Sequence, residues 1–179
     1  MTDVAREYGA ALYQLAAEEQ LEEQILEESA VLAGQFQENP DYVELLSTPV
    51  LPKAQRLQIV DEAFRGKIHG YLLNFLKILV ENGTANQFVL CQQQYESLYN
   101  KAHGIEKATA VTATPLSDAL CEKLKAKLEQ VTGKQVILSN RVDPRVLGGV
   151  RIEMDGKLLD DSLRTRLETI RHNLLETIV

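Results

Sequence analysis

The sequence has little cysteine and no long uncharged apolar run. Its two cysteines, Cys91 and Cys121, are 30 positions apart, whereas zinc and redox motifs place cysteines a few residues from each other. A membrane-spanning helix needs about 20 consecutive apolar residues, and the chain has no such run. We therefore expect a globular protein that does not insert into a membrane. Both cysteines are interpreted as small packing residues or half-exposed thiols of a reducing compartment.

Positive charge is also scarce. Lysine and arginine number 19 against 26 acidic residues, which gives a net charge of −7. This charge would repel a phosphate backbone, and no basic stripe with interleaved aromatic residues offsets it, so nucleic acid is not an expected partner. The first residues lack the basic start and apolar centre of a secretory signal, and we expect the protein to stay where it is made.

Recognisable catalytic patterns are missing as well. The three histidines, His69, His103 and His172, have no second ligand at metal-binding spacing. Ser162 lies outside any Gly-x-Ser-x-Gly elbow. Gly133 and Lys134 are followed by glutamine where a phosphate loop requires serine or threonine. We predict no catalytic residue, no cofactor and no metal.

The residues from Val4 to about Ala102 show the periodicity of helices. Apolar residues recur at three- and four-residue spacing, and Asn39-Pro40 has the order of an N-cap followed by a first-turn proline. Six short helices with brief connections predict a compact bundle over residues 1–104. The apolar stripes comprise Val4, Tyr8, Ala11, Leu12 and Leu15 in the first helix and Leu21, Ile25, Ser29, Leu32 and Phe36 in the second. In the fourth helix, Leu57, Val60 and Phe64 are predicted to face inward.

The fifth predicted helix is the most apolar in the chain, and its apolar residues cover more of the circumference than one core face requires. Ile78 and Val80 lie off the main stripe. It is interpreted either as the central helix of the bundle or as one wall of a shallow groove that accepts an amphipathic helix of another protein. The main stripe comprises Tyr71, Leu72, Phe75, Leu76 and Leu79, with Val80 beside it, and Tyr8, Ala11 and Leu12 of the first helix would share the groove.

After Gly104 the pattern changes to that of a small α/β domain. Residues 105–114 are rich in Thr, Val and Ala without helical period, which favours a strand. A helix bearing Leu120, Leu124, Leu128 and Val131 follows, and residues 136–142 alternate as a second strand. We predict an α+β protein in which residues 105–179 form a small mixed sheet with two helices.

The last stretch combines a strand, a turn and a capped helix. Val150, Ile152 and Met154 alternate with polar residues, and the Asp155-Gly156 pair favours a tight turn into a short returning strand. An acidic or hydroxyl side chain at residues 160–162 is suited to cap a terminal helix. The apolar stripe of that helix comprises Leu163, Leu167, Ile170 and Leu174.

This stretch resembles the C-terminal signature of the delta-subunit family of F-type ATP synthase, in which Gly-Gly-Val precedes Asp-x-Ser-x-Arg-x-x-Leu. Asp161 stands where the family usually has glycine. Two earlier segments are also similar to the family: Arg6 to Leu12, with Gly9 in place of the usual alanine, and the Glu-Asn-Gly ending of the fifth helix. The matching C-terminal residues are Gly148, Gly149, Val150, Asp160, Ser162, Arg164 and Leu167.

The resemblance implies a non-catalytic peripheral-stalk subunit that links the catalytic head to the stalk, so that rotor torque is coupled to ATP synthesis. It implies that residues 1–104 bind N-terminal helices of alpha subunits, and that residues 105–179 contact the b subunit, with the last helix around Leu167 to Leu175 as the favoured contact. The chain would be one copy in a hetero-oligomer at the cytoplasmic face of the bacterial membrane. The implied groove residues are Tyr8, Ala11, Leu12, Leu72, Leu76, Leu79 and Val80.

An unrelated helical adaptor that binds an amphipathic partner helix is the alternative. Such an adaptor would have the groove, and its resemblance to the C-terminal signature would be accidental.

Overall fold

The computed structural model describes residues 2–146, 149–154 and 157–160. The chain divides into two compact units, Met1–Tyr99 and Asn100–Val179. The described residues form seven α-helices, one short 3₁₀ helix and four strands. The predicted α+β class is therefore confirmed.

The first unit is helical. Most of its helices start and end where the sequence has turn-forming residues, and their connections are short. The bounds are α1 Asp3–Glu18, α2 Glu22–Glu38, α3 Pro40–Ser47, α4 Lys53–Phe64, α5 Gly70–Glu81, a 3₁₀ turn Ala85–Gln87 and α6 Phe88–Ala102.

Local signals explain several of these bounds. The Thr2 hydroxyl accepts a hydrogen bond from the Ala5 amide and caps α1. Pro40 occupies the first turn of α3 as predicted. Asn39, however, does not cap α3 with its side chain, because its amide nitrogen donates to the Gln35 carbonyl at the end of α2 at 2.8 Å. Asn39 thus helps to close the preceding helix.

One apolar core fills the helical unit. The predicted apolar stripe of α2 faces this core, since Ile25, Ser29, Leu32 and Phe36 are all buried. Helix α5 contributes most to this core, because its main stripe and its extra apolar residue Val80 are both inaccessible. Its fully or nearly fully buried residues are Leu72, Leu73, Phe75, Leu76, Leu79 and Val80.

A buried arginine ties three helices of this unit together. Arg56 of α4 is only 7% exposed, and its Nη1 donates to the carbonyl of Leu46 at 2.8 Å and to that of Val80 at 3.0 Å. These carbonyls lie in the last turns of α3 and α5, where backbone acceptors lack partners within the helix. The guanidinium therefore caps both helix ends and neutralises the negative ends of their dipoles.

The second unit contains a mixed four-stranded sheet with the strand order β2-β1-β3-β4. β1 pairs parallel to β2 and antiparallel to β3, and β3 pairs antiparallel to β4 in register Met154↔Lys157. The predicted strand and its return are thus present. The bounds are β1 Ile105–Thr112, α7 Asp118–Thr132, β2 Gln135–Val142, β3 Val150–Met154 and β4 Lys157–Asp160.

The predicted helix that bears Leu120, Leu124, Leu128 and Val131 is present as α7. Leu128 is buried and Leu124 packs partly against the sheet, whereas Leu120 is 53% and Val131 76% exposed. Only part of the apolar stripe of α7 is therefore covered. The buried cluster here comprises Ala108, Ala110, Leu128, Val136 and Ile152. The predicted terminal helix lies outside the described residues.

Candidate partner-binding groove

Helix α1 buries a narrow strip of small residues. Ala5, Gly9, Leu12 and Ala16 are inaccessible, and at about 100° per residue they fall on one side of the helix. Of the predicted apolar stripe of α1, Leu12 lies on that side, whereas Val4, Tyr8, Ala11 and Leu15 lie on a flank of it. This difference leaves an apolar flank partly in solvent.

The flank of α1 is accessible along its length. Val4 and Tyr8 are half-buried, Ala11 is exposed and Leu15 is 36% exposed. Their spacing of three or four residues places them in one row. The row is apolar throughout, apart from the tyrosine hydroxyl.

Helix α5 has a corresponding flank. Tyr71, Phe75, Ile78 and Asn82 follow the same spacing beside the buried stripe. Phe75 is buried, whereas Ile78 is 46% exposed. Ile78 is thus the apolar residue that the sequence shows outside the main stripe of α5.

Two contacts of Tyr8 bring these flanks together. Its ring meets the Phe75 ring edge-on, with centroids 6.5 Å apart and an interplanar angle of 66°. Its hydroxyl accepts a hydrogen bond from the Asn82 amide nitrogen at 3.2 Å. Helix α1 therefore lies beside α5, as the groove interpretation requires. We call this surface the α1–α5 groove; its rows are Val4, Tyr8, Ala11 and Leu15 on α1, and Tyr71, Phe75 and Ile78 on α5 with the following residue Asn82.

Most of the groove residues expected from the resemblance are in the core instead. Tyr8 and Ala11 are accessible, but the other five have at most 5% of their surface exposed. Such side chains cannot touch a partner unless the unit rearranges. They support the groove from below, so the accessible residues must make any direct contact. The buried five are Leu12, Leu72, Leu76, Leu79 and Val80.

The sequence contains signals for the residues of the groove that are accessible. Ile78 is off the main stripe of α5, and Val4 and Leu15 belong to the apolar row of α1. The missing information was which side of α1 faces the core. That side is set by Gly9, where an added Cβ would lie 2.5 Å from the Cys91 carbonyl oxygen of α6. Only glycine permits this approach, and it turns the small residues inward.

Acidic side chains border the α1 row. Glu7 and Glu18 are exposed on the outer side of the row, where helical geometry puts them next to Ala11 and Leu15. On α5, Glu81 is paired with Lys53 at 3.1 Å. The α1 side of the groove is therefore mostly apolar and carries excess negative charge, whereas Asn82 adds a polar group on the α5 side.

The C-terminal signature is only partly described. Gly149 has φ +85°, a left-handed conformation that glycine adopts without strain, and Val150 begins β3. Asp160 ends β4. Gly148, Ser162, Arg164 and Leu167 lie outside the described residues, as does the stretch Leu167 to Leu175.

Two of the titratable residues considered in the sequence analysis, His69 and Cys91, have structural roles: His69 caps a helix and Cys91 is buried. His69 Nδ1 accepts the Tyr71 amide at 3.3 Å and caps α5, while its own amide donates to Glu28 at 2.6 Å. Burial raises the pKa of the Cys91 thiol to about 11, which suppresses the reactive thiolate. Within the described ranges, no three His, Cys, Asp or Glu side chains are grouped as a metal site requires.

Together these features define an α+β protein with a helical unit whose accessible apolar groove suits a helix. No helix of the described part of the chain is long and apolar enough to cross a membrane. The chain matches the ATP synthase delta (OSCP) subunit family over residues 4–174, and it belongs to that family.

Similar proteins agree with this assignment. The chain is 33% identical to the ATP synthase subunit delta of Alkaliphilus metalliredigens over 98% of each sequence. It is 32% identical to that of Lactobacillus johnsonii over 97% of this chain and 96% of the relative. A chain of the Toxoplasma gondii mitochondrial ATP synthase hexamer shares the fold, with a TM-score of 0.76, 17% identity and coverage of 97% and 98%.

Family membership confirms the predicted function, that of a peripheral-stalk subunit of F-type ATP synthase. The chain is thus one component of a multi-subunit complex. Family membership also excludes the alternative of an unrelated helical adaptor, in which the C-terminal signature would be accidental.

Proposed function

We propose that the α1–α5 groove binds the amphipathic N-terminal helix of an alpha subunit of the catalytic head. The edge-on contact of Tyr8 with Phe75 is the observation that carries this proposal, because it places the accessible apolar row of α1 beside the flank of α5 on which Ile78 is exposed. A helix laid into such a groove buries its apolar face at three- and four-residue spacing. The contacts are made by Val4, Tyr8, Ala11, Leu15 and Ile78.

The buried residues have a supporting role in this proposal. Leu12, Leu72, Leu76, Leu79 and Val80 hold the two helices at a fixed spacing through close packing. Protein interiors transmit strain because they are packed as densely as crystals. The groove is therefore a stiff receptor, and its binding energy is concentrated in a few accessible side chains.

The unit formed by residues 105–179 contacts the b subunit in this proposal, through the segment around Leu167 to Leu175. The whole chain acts without catalytic residues or cofactor, as a single copy at the cytoplasmic face of the bacterial membrane. Support comes from the family and from the groove, which offers apolar area in place of acid–base groups.

A mechanical reason links these two contacts. The turning rotor exerts torque on the catalytic head, which would rotate with it unless a tether held the head to the membrane-anchored stalk. Such a tether requires affinity and stiffness. A close-packed receptor that holds a helix in the first unit, together with a stalk contact in the second, provides both.

Calorimetric titration of the full chain with a synthetic alpha-subunit N-terminal helix from the same organism tests the proposal. We expect one-to-one binding with a negative change in heat capacity, because apolar surface is buried. A peptide of the same composition in scrambled order, which has no apolar face, serves as the control. Absence of binding by the folded chain, or equal binding of the scrambled peptide, would refute groove docking.

A further inference from the structure

The two sides of the α1–α5 groove differ in charge. On the α1 side, Glu7 and Glu18 are exposed next to the apolar row. On the α5 side, the outer neighbours of the row are Asn74, which is exposed and uncharged, and Glu81, which is paired with Lys53 at 3.1 Å. Unpaired negative charge therefore lies along only one side of the groove.

The two glutamates on the α1 side are not neutralised by their surroundings. In the part of the chain that the structure describes, neither carboxylate has an ion-pair or hydrogen-bond partner. The basic residue of α1, Arg6, pairs with Asp3 at 2.8 Å. Both Glu7 and Glu18 are thus available to a bound partner.

These two charges do not stabilise α1 itself. Glu18 is the last residue of α1, at the negative end of the helix dipole, and no basic residue lies in that turn. Glu7 has the like-charged Asp3 four residues before it, and alanine stands both three and four residues after it. Acidic residues in these positions lower the stability of a helix, and a cation on a bound partner offsets this cost.

The spacing of the two glutamates follows the direction of the groove. They are eleven residues apart, which is close to three full helical turns and corresponds to about 16 Å along the axis of α1. Both carboxylates therefore lie on one line beside the apolar row. A helix laid along that row meets both of them if its own basic residues have a similar separation.

We propose that the partner helix of the α1–α5 groove has a basic flank, and that this flank lies over Glu7 and Glu18. The inference rests on the proposed function, because it describes the helix that the groove binds. The apolar face of the helix packs against the groove, lysine or arginine residues about eleven positions apart pair with the two carboxylates, and the flank over α5 is uncharged. Exposed charges at the edge of an interface mainly accelerate association and fix the register of the partners.

Stopped-flow measurement of the association of the full chain with a synthetic alpha-subunit N-terminal helix from the same organism tests this inference. The double variant Glu7→Gln/Glu18→Gln removes both charges, and glutamine has a similar helix propensity. We expect association to be about three- to tenfold slower and less dependent on salt. The dissociation rate should change by less than about twofold, because the apolar contacts are retained.

The double variant Glu38→Gln/Glu44→Gln is the control. It makes the same change in net charge at exposed positions of α2 and α3, outside the two rows of the groove, and should associate as fast as the unmodified chain. Unchanged association of Glu7→Gln/Glu18→Gln at low salt, or equal slowing by the control, overturns the basic flank while helix docking stands. Absence of binding by the folded, unmodified chain refutes helix docking itself and this inference with it, so the two failures are distinguishable.

Discussion

At the scale of single residues, Gly9 determines how closely α1 approaches α6. A Cβ at this position would lie 2.5 Å from the Cys91 carbonyl oxygen and 2.8 Å from Gln94 Cβ. We predict that Gly9→Ala lowers the free energy of unfolding by up to about 2 kcal/mol, because overpacking costs about 1–3 kcal/mol. The gain in helix propensity, about 1 kcal/mol, offsets only part of this. Urea denaturation measures the difference.

Gly34 provides the control for this substitution. It lies inside α2, and nothing is within 4 Å of a Cβ added there. Gly34→Ala should therefore raise the free energy of unfolding by about 0.5–1 kcal/mol through helix propensity alone. If Gly9→Ala were as stabilising as Gly34→Ala, close packing at Gly9 would be disproved.

At the scale of elements, Arg56 holds the ends of α3 and α5. Arg56→Met keeps most of the side-chain volume but removes both hydrogen bonds to carbonyls. We predict a loss of about 2 kcal/mol in the free energy of unfolding, in the range for hydrogen bonds that involve a charged group. Chemical denaturation followed by far-ultraviolet circular dichroism gives this value.

Lys53 supplies the comparison for Arg56. It also extends from α4 towards the end of α5, where it pairs with Glu81, but it is 56% exposed. Lys53→Met should change stability by less than about 1 kcal/mol, as for other surface ion pairs. Equal losses in both variants would mean that the buried caps contribute no more than a surface pair.

Asp61 of α4 gives a pH-dependent link to α5. A hydrogen bond from Lys77 lowers the pKa of Asp61 from its model-compound value of 3.8, with help from the charges of Arg65 and Lys77. A carboxyl with a depressed pKa in the folded state stabilises the protein above its unfolded pKa, and this is lost as the pH falls through the folded pKa. Asp61→Asn should therefore destabilise the chain at neutral pH, and the difference should shrink below pH 3.8.

Urea unfolding of both proteins at several pH values between neutral and acidic measures this difference. Asp3→Asn, which affects an exposed pair with Arg6 in α1, is the control. A stability difference for Asp61→Asn that stays constant down to acidic pH would contradict the assigned role of the Lys77 contact.

The sequence predicted where helices and strands begin and end better than it predicted which of their faces are buried. Proline in the first turn of α3 and the alternation of Val136 to Val142 are local signals, and the structure has both elements. The side of α1 that faces the core was not evident from the sequence, because it depends on the close approach of α6 at Gly9, a long-range contact. The exposure of Leu120 and Val131 on α7 was not evident for the same kind of reason, since the width of the covering sheet is not a local property.

At the scale of the whole molecule, the family was readable from three short motifs, but the contact residues of the groove were not. The sequence does not distinguish an apolar residue that is buried beneath a groove from one that is exposed along it, because both recur at helical spacing. Leu76 and Ile78 illustrate this, because both are apolar residues of α5 and only Ile78 is accessible. Packing of α1 against α5 makes this distinction, and it requires the folded structure.

The groove is the central claim of this account, and a pair of exposed residues tests it most directly. Ile78→Asp places a charge in the α1–α5 groove, and Val31→Asp places one on α2, where the side chain is 64% exposed. The measurement is the affinity of each full-length variant for the alpha-subunit N-terminal helix, with thermal unfolding recorded alongside. We predict that Ile78→Asp weakens binding at least about tenfold while the chain stays folded, and that Val31→Asp binds normally. Normal binding by folded Ile78→Asp would contradict the account.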